Sequence, residues 1–327
     1  MNKQFAVVVL SFVLFTLGVS VQAQQPTKIP RIGYLDASSL SVNAVRTEPF
    51  RQGLRELGYV EGKNIVIEWR SAEGKLDRLP ALAAELVRLK VDIIFSSGAS
   101  VTRAAKEATT TIPIVMTNIS DPVASGFVAS LARPGGNITG LSTLAPELSG
   151  KRLELLKEIV PKLSRVGVFG ASTQPGYTAV LKEMELAAEA LKVKLQYLDV
   201  LDPKDVETAF RAASKGRADA FLTLSSPVIS SHRSQVADLA VKNRLPAIYP
   251  QAEYIEAGGL MSYGTNTADL FRRAATYVDK ILKGRTPADL PVEQPIKFEF
   301  IINLKAAKQI GLTIPPQVLA RADKVIK

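Results

Sequence analysis

The chain of 327 residues contains no cysteine. Disulfide stapling, thiol nucleophiles and thiolate metal sites are therefore excluded. So is lipid attachment to a cysteine behind an export signal. There is one histidine, His232, with no second His or Cys to share a metal ion, so no metal is expected. The sequence has no G-x-S-x-G elbow, no H-E-x-x-H, no P-loop and no G-x-G-x-x-G. The glycine-rich stretch Gly135-Gly136-Asn137-Ile138-Thr139-Gly140 has the wrong spacing for a phosphate loop and reads as a turn. Asp36 and Asp121 are conceivable as an acid/base pair, but two carboxylates alone are weak evidence. The expectation is a protein that is not an enzyme and carries no cofactor. Aromatic residues make up only 6% of the chain, so the core must be mostly aliphatic.

What is present begins with Met1-Asn2-Lys3, one positive charge, followed by a nearly uninterrupted apolar run from Phe5 to Val21. Val21-Gln22-Ala23 then offers small residues at both ends of a triplet, and Gln24-Gln25-Pro26 turns polar. This is the pattern of a secretory signal peptide, residues 1–23, cleaved after Ala23. An uncleaved anchor is the competing reading, but the run is short for a comfortable span. Net charge is +10, or +9 once Lys3 is removed with the signal. The basic residues are scattered among acids, as in Lys182-Glu183 and Lys204-Asp205, so a solvated surface is expected and nucleic acid is not.

Short apolar strands alternate with amphipathic helices, the mark of a parallel sheet covered on both faces. The pattern runs twice in the same order. Arg31-Ile32-Gly33-Tyr34-Leu35 opens the first pass and Arg165-Val166-Gly167-Val168-Phe169 the second. Third strands are expected at Val91–Phe95 and Ala218–Leu222, fourth strands at Ile112–Met116 and Leu245–Tyr249. Each pass closes on a glycine pair, Gly135-Gly136 and Gly258-Gly259. Matching elements stay between 123 and 134 residues apart (Gly135 to Gly258, Arg31 to Arg165). The fold expected is α/β, two doubly wound parallel-sheet lobes. A helix at Lys151–Ile159 joins them. A helix at Ala268–Leu282 has Thr267 as its N-cap candidate. The tail holds a strand at Ile296–Ile302, a helix capped by Asn303, and a last helix after Pro315-Pro316.

In open α/β sheets, ligands bind beyond the carboxyl ends of the strands, so two facing lobes make one cleft. The strand-end loops of lobe one hold Asp36, Ser38, Ser39, Ser97, Gly98, Asn118, Ser120 and Asp121. Those of lobe two hold Ser172, Thr173, Ser225, Ser226, Tyr249, Gln251 and Tyr254. Ser97-Gly98 precedes a helix whose free N–H groups suit a carboxylate. Asp121-Pro122 reads as N-cap plus N1 proline, and its carboxylate is also a candidate partner for a ligand ammonium. Any one Ser, Thr or Asp here is more often a helix cap than a ligand contact, and Tyr249 is also readable as a core residue. No arginine sits in these loops, which argues weakly against phosphates and dicarboxylates.

The motifs resemble a known family. Phe50-Arg51-Gln52-Gly53-Leu54-Arg55-Glu56-Leu57-Gly58-Tyr59, then Ser120-Asp121-Pro122-Val123, and Leu131-Ala132-Arg133-Pro134-Gly135-Gly136-Asn137-Ile138-Thr139-Gly140 are similar to ABC transporter substrate-binding proteins of the type I periplasmic binding fold. Relatives in that family include tryptophan- and tyrosine-uptake binding proteins. Ala257-Gly258-Gly259-Leu260-Met261-Ser262-Tyr263-Gly264 adds to the match, which runs from about Ile29 to the end. The resemblance implies three hinge crossovers, closure of the lobes on a ligand, and an ABC permease and ATPase as partners. On that pattern residues 29–142 form lobe one and 143–265 lobe two. Residues 266–295 return to lobe one, and 296–327 complete lobe two. It departs from many relatives at Ala171-Ser172-Thr173-Gln174-Pro175-Gly176, where they carry an Asn-Pro type sequence.

The expected function is therefore that of a periplasmic solute-binding subunit of an ABC importer, with an amino acid or related carboxylate favoured. The alternative is a periplasmic sensor feeding a membrane receptor. A DNA-binding regulator with the same lobes needs a helix-turn-helix before Arg31, where a signal peptide stands instead. A monomer suits capture by hinge closure.

Overall fold

The structure, a computed structural model, describes residues 28–39 and 44–327. The apolar N-terminal run and the cleavage site after Ala23 lie outside the described residues. No helix among the described residues is long and apolar enough to cross a membrane.

The first pass builds β1 (Arg31–Asp36), α1 (Ala44–Glu56), β2 (Val66–Ser71), α2 (Leu79–Arg88), β3 (Ile93–Ser97), α3 (Ala99–Ala108), β4 (Ile114–Ile119) and β5 (Ile138–Ser142). These strands form one parallel sheet in the order β2-β1-β3-β4-β5. The central strands are buried on both faces, which is why they read as continuous apolar runs. On one face Phe50 and Leu54 of α1 pack on Tyr34 and Phe95. On the other face Ala83 and Leu86 of α2 pack with Val101 and Ala105 of α3.

The second pass builds α4 (Ala145–Ile159), β6 (Arg165–Gly170), α5 (Tyr177–Leu191), β7 (Lys194–Asp199), α6 (Asp205–Lys215), β8 (Ala220–Thr223), α7 (Pro227–Ser231), α8 (Arg233–Lys242), β9 (Ala247–Tyr249), α9 (Glu253–Glu256) and β10 (Met261–Thr265). On α6 the residues Val206, Ala209, Phe210 and Ala213 fall at helical spacing and are all buried against the sheet. Leu156 of α4 and Met184 of α5 cover the opposite face.

The duplication persists at atomic detail. In each lobe an Asp ahead of the third strand takes the first N–H of the first strand. Asp92 Oδ2 accepts from Arg31 N at 2.8 Å, and Asp219 Oδ2 accepts from Arg165 N at 2.9 Å. Asp219 also accepts from Ser164 N and Oγ, each at 2.8 Å.

After β10 the chain goes back. α10 (Thr267–Leu282) lies on α1, with Phe271, Ala274 and Val278 in the core of the first lobe. The approach is close at Gly53, where an added Cβ would sit 2.3 Å from the Arg272 carbonyl oxygen. The following segment stays there: Thr139 Oγ1 donates to Leu290 O at 2.6 Å, and Leu141 bridges Glu293. The chain then re-enters the second sheet as β11 (Phe298–Asn303), antiparallel to β10, followed by α11 (Leu304–Ile310), α12 (Pro316–Leu319) and β12 (Lys324–Ile326). The second sheet thus runs β12-β11-β10-β9-β8-β6-β7. The strand is antiparallel because the chain, returning from the other lobe, re-enters beside β10 at the end where β10 left the sheet.

Three segments therefore cross between the lobes, and they lie side by side. Thr265 Oγ1 donates to Thr143 O at 3.1 Å, Asn266 N to Lys297 O at 3.0 Å, and Ser142 N to Glu293 O at 2.9 Å. Some local details differ from the sequence expectations. The N-cap of α10 is Asn266, whose Oδ1 accepts from Asp269 N at 2.7 Å, rather than Thr267. The joining helix begins at Ala145, six residues before Lys151, because Pro146 is tolerated in its first turn. β12 is a strand the sequence did not announce. Asn303 caps α11 as expected, accepting from Lys305 N and Ala306 N.

Candidate functional site

The carboxyl ends of both sheets face one another across a cleft of about 810 Å3, counting its mouth. Lobe one supplies Asp36, Ala37 and Ser38 at the end of β1, Ser97 and Gly98 at the end of β3, and Asn118 and Ser120 from the end of β4. Asn118 reaches the cleft because β4 and β5 slip register between Met116 and Ile119. Its backbone is left-handed there (φ 58°), a conformation Asn tolerates better than most residues. Lobe two supplies Leu224, Ser225 and Ser226 after β8, Gln251 after β9, and Gln174, Pro175 and Tyr177 after β6. The Oγ of Ser226 is buried with no partner among the described residues.

Two arginines on helices complete the lining. Arg46, on α1, is 8% exposed. It donates from Nε to Glu253 Oε1 at 3.3 Å and from Nη2 to Gln251 Oε1 at 3.2 Å. Burial works against its charge, but Glu253 and then Asp36 outweigh that and hold its pKa above the ordinary value. Arg152, on α4, is 3% exposed. It donates from Nε to Tyr263 O at 2.7 Å and from Nη1 to Ser149 Oγ at 3.3 Å. No ion pair to a carboxylate is present for it among the described residues. Burial pushes its pKa down to about 10, still high enough to keep it charged at neutral pH. The strand-end loops that line the cleft hold no arginine, but helix faces line it too and supply these two, so the weak argument against anionic ligands drawn from the loops alone does not extend to the whole cleft.

The lobes touch across the mouth. Besides the Arg46 contacts, the hydroxyls of Ser38 and Ser231 are 3.1 Å apart, and Ser100 Oγ donates to Gln174 Oε1 at 2.9 Å. An added Cβ on Gly176 of lobe two would lie 2.9 Å from Ser125 Oγ of lobe one. This is a closed cleft.

Of the residues anticipated from the sequence, Asp36, Ser38, Ser97, Gly98, Asn118, Ser120, Ser225, Ser226 and Gln251 line the cleft together. Six others are placed elsewhere. Asp121 Oδ1 caps its own turn, accepting from Val123 N at 3.0 Å and Ala124 N at 2.9 Å. Ser172 donates from N and Oγ to Asp199 at 2.7 Å, and Thr173 beside it is exposed. Tyr249 is fully buried, stacked on Tyr254 with ring centroids 4.7 Å apart. Ser39 is not among the lining residues. Arg46 and Arg152 carried no warning, since a basic residue on a helix ordinarily reads as solvated.

Residues 41–326 match the family described as ABC transporter substrate binding protein. The chain belongs to that family. It is a substrate-binding protein, and the family is non-enzymatic. It is 27% identical over 263 residues to a tyrosine-binding protein of Clostridioides difficile (strain R20291), covering 80% of this chain and 75% of that one. Among solved structures it resembles an ABC domain in complex with L-Trp from Streptococcus pneumonia, at 26% identity and TM-score 0.84, covering 91% of this chain and 99% of that one. It also resembles the ligand-free, open structure of a substrate binding protein with adhesive properties from Clostridium difficile, at 25% identity and TM-score 0.66, with the same coverage. Identity and coverage are nearly equal for these two structures. The lower TM-score against the open structure agrees with the closed lobes of this binding protein.

Proposed function

We propose that this protein is the periplasmic capture subunit of an ABC importer and that it takes an α-amino acid, aromatic side chains favoured, by closing its lobes on it. The observation that carries this reading is Arg152. A guanidinium buried without a carboxylate is an electrostatic liability unless a ligand brings one. Charges around the cleft support a zwitterion: the Asp36 carboxylate lines it from one lobe and the Arg152 guanidinium from the other. The ligand carboxylate is assigned to Arg152 and its ammonium to Asp36, which replaces Asp121 in that role. Apolar surface from Pro175, Tyr177, Val180 and Leu224 suits a large side chain. The Tyr177 ring lies where Gly170 has no side chain, since an added Cβ would meet its Cε2 at 2.7 Å. What the two relatives are named as binding, tyrosine and L-Trp, agrees with this choice.

A thermal-shift screen of the chain from Gln24 onward tests the reading. L-Tyrosine, L-tryptophan and other amino acids are compared with sugars and purines. A ligand at a hundred times its Kd adds about 2.7 kcal/mol to the folded state. Shifts with amino acids are expected; shifts with sugars or purines only would overturn the assignment. Export in this reading removes residues 1–23, so N-terminal sequencing of the exported protein should begin at Gln24. A permease and an ATPase are its partners, and it works as a monomer.

A further inference from the structure

One cleft side chain has its orientation dictated from the opposite lobe. Gln251 follows β9 in lobe two and is 7% exposed. It lines both the main cleft and a smaller chamber behind it, toward the hinge segments at Thr143 and Thr265. Arg152 lines the same two spaces. Arg46 of lobe one donates to the Gln251 side chain at 3.2 Å. A guanidinium carries only donors, so the amide atom facing it is Oε1. The amide nitrogen is then turned away from Arg46, and it donates to no described residue. Without Arg46 the terminal torsion of a glutamine is broad and two-fold, and either atom serves equally well. Glu253 matches the charge of Arg46, so Gln251 is left as a neutral group with a fixed polarity.

We propose that Gln251 contacts the ligand carboxylate alongside Arg152, and that Arg46 is the positioning residue that turns its amide nitrogen toward that carboxylate as the lobes close. The proposal rests on the amino-acid reading above. Preference for a carboxylate over its amide is then not fully present in the open lobe. Part of it is acquired on closure, when lobe one sets the polarity of a lobe-two side chain. A pure latch between Arg46 and lobe two would behave differently. It would raise affinity for every ligand that closes the cleft by the same factor.

The experiment exploits that difference. Dissociation constants are measured by calorimetry for L-tryptophan and L-tryptophanamide, and for L-tyrosine and L-tyrosinamide. The pH is kept low enough that the ammonium groups stay charged, and the tighter pair is used. Closure energy cancels in the acid-to-amide ratio. Wild-type protein is expected to favour the acid. Gln251→Glu, an isosteric change, should lower that preference by about a hundredfold or more, because a carboxylate then faces the ligand carboxylate. Arg46→Met should lower it by about tenfold, the worth of one hydrogen bond to a charged group. Circular dichroism melts confirm that each variant folds, and Gln251→Glu alone suffices if Arg46→Met does not. A wild type that discriminates, with variant ratios within about threefold of it, overturns this proposal and leaves the amino-acid reading intact. A wild type that binds neither compound, or both alike, overturns the two together.

Discussion

Replacing Arg152 by methionine separates the role of that residue in binding from its role in folding. In the closed form burial, the leading cause, lowers its pKa from the ordinary guanidinium value to about 10. At 1.36 kcal/mol per unit, that shift corresponds to roughly 3 kcal/mol opposing the buried charge. Both values lie far above neutral pH, so the residue is charged folded and unfolded and its cost does not vary between pH 5 and 8. Arg152→Met keeps the apolar stem and removes the charge. It also removes the hydrogen bonds to Tyr263 O and Ser149 Oγ, worth about 1 kcal/mol each. The ligand-free variant should therefore be as stable as wild type or about 1 kcal/mol more stable. Binding moves the other way. Truncating one member of a buried charge pair costs about 2–5 kcal/mol, so affinity for L-tryptophan or L-tyrosine should fall by a hundredfold or more. Urea unfolding reads the first quantity and titration calorimetry the second. A variant that binds within threefold of wild type refutes the reasoning. So does one that unfolds while keeping a normal ligand affinity in the folded fraction.

Other perturbations probe the hinge, the packing and the duplication. The Arg46–Glu253 pair exists only when the lobes meet, and removing one partner of a buried pair costs about 3–5 kcal/mol. Because the chain has no cysteine, spin labels placed by Glu107→Cys and Lys182→Cys report lobe separation cleanly. With Glu253→Gln added, at least about tenfold more ligand should be needed to reach the closed distance; an unchanged titration would deny the pair a role in closure. Gly53→Ala puts a Cβ 2.3 Å from Arg272 O, so α1 and α10 must separate. A loss of about 1–3 kcal/mol in urea melts is expected despite alanine's better helix propensity, and a gain would contradict the close approach. Burial opposes the Asp219 charge, but hydrogen bonds from Ser164 and Arg165 outweigh it and hold its pKa below the ordinary carboxylate range. Its contribution is complete above the unfolded value of about 3.9 and is lost as pH falls through the lower folded value. The melting-temperature deficit of Asp219→Asn should thus be largest near neutrality and shrink in acid; a deficit independent of pH would show that the charge is not involved.

Much of this architecture is legible in the amino-acid order. Strands buried on both faces leave unbroken apolar runs such as Ile93-Ile94-Phe95, and a duplicated order of such runs leaves little choice but two doubly wound lobes. The loops at the strand ends are legible for the same reason, and Asp36, Ser97, Asn118 and Ser225 in them line the cleft. The arginines were not. Arg152 sits in Lys151-Arg152-Leu153-Glu154, a stretch that reads as a solvated helix face, and Glu154 does pair with Lys151 at the surface. Arg152 itself is buried by α4 lying against β10 at the hinge, a relation between segments more than a hundred residues apart. Arg46 is buried where Glu253 and Gln251 of the opposite lobe meet it. Strand β12 escaped because three residues at a chain end carry no period, and their pairing depends on β11 arriving from the other lobe.

The most direct measurement is a crystal structure of the protein after equilibration with L-tyrosine or L-tryptophan. The account predicts closed lobes with the amino acid between them. Its carboxylate should lie at hydrogen-bond distance from the Arg152 guanidinium, its ammonium at Asp36, and its ring against Tyr177. A ligand seated away from the cleft, or one bound there with Arg152 left without an anion, would contradict it.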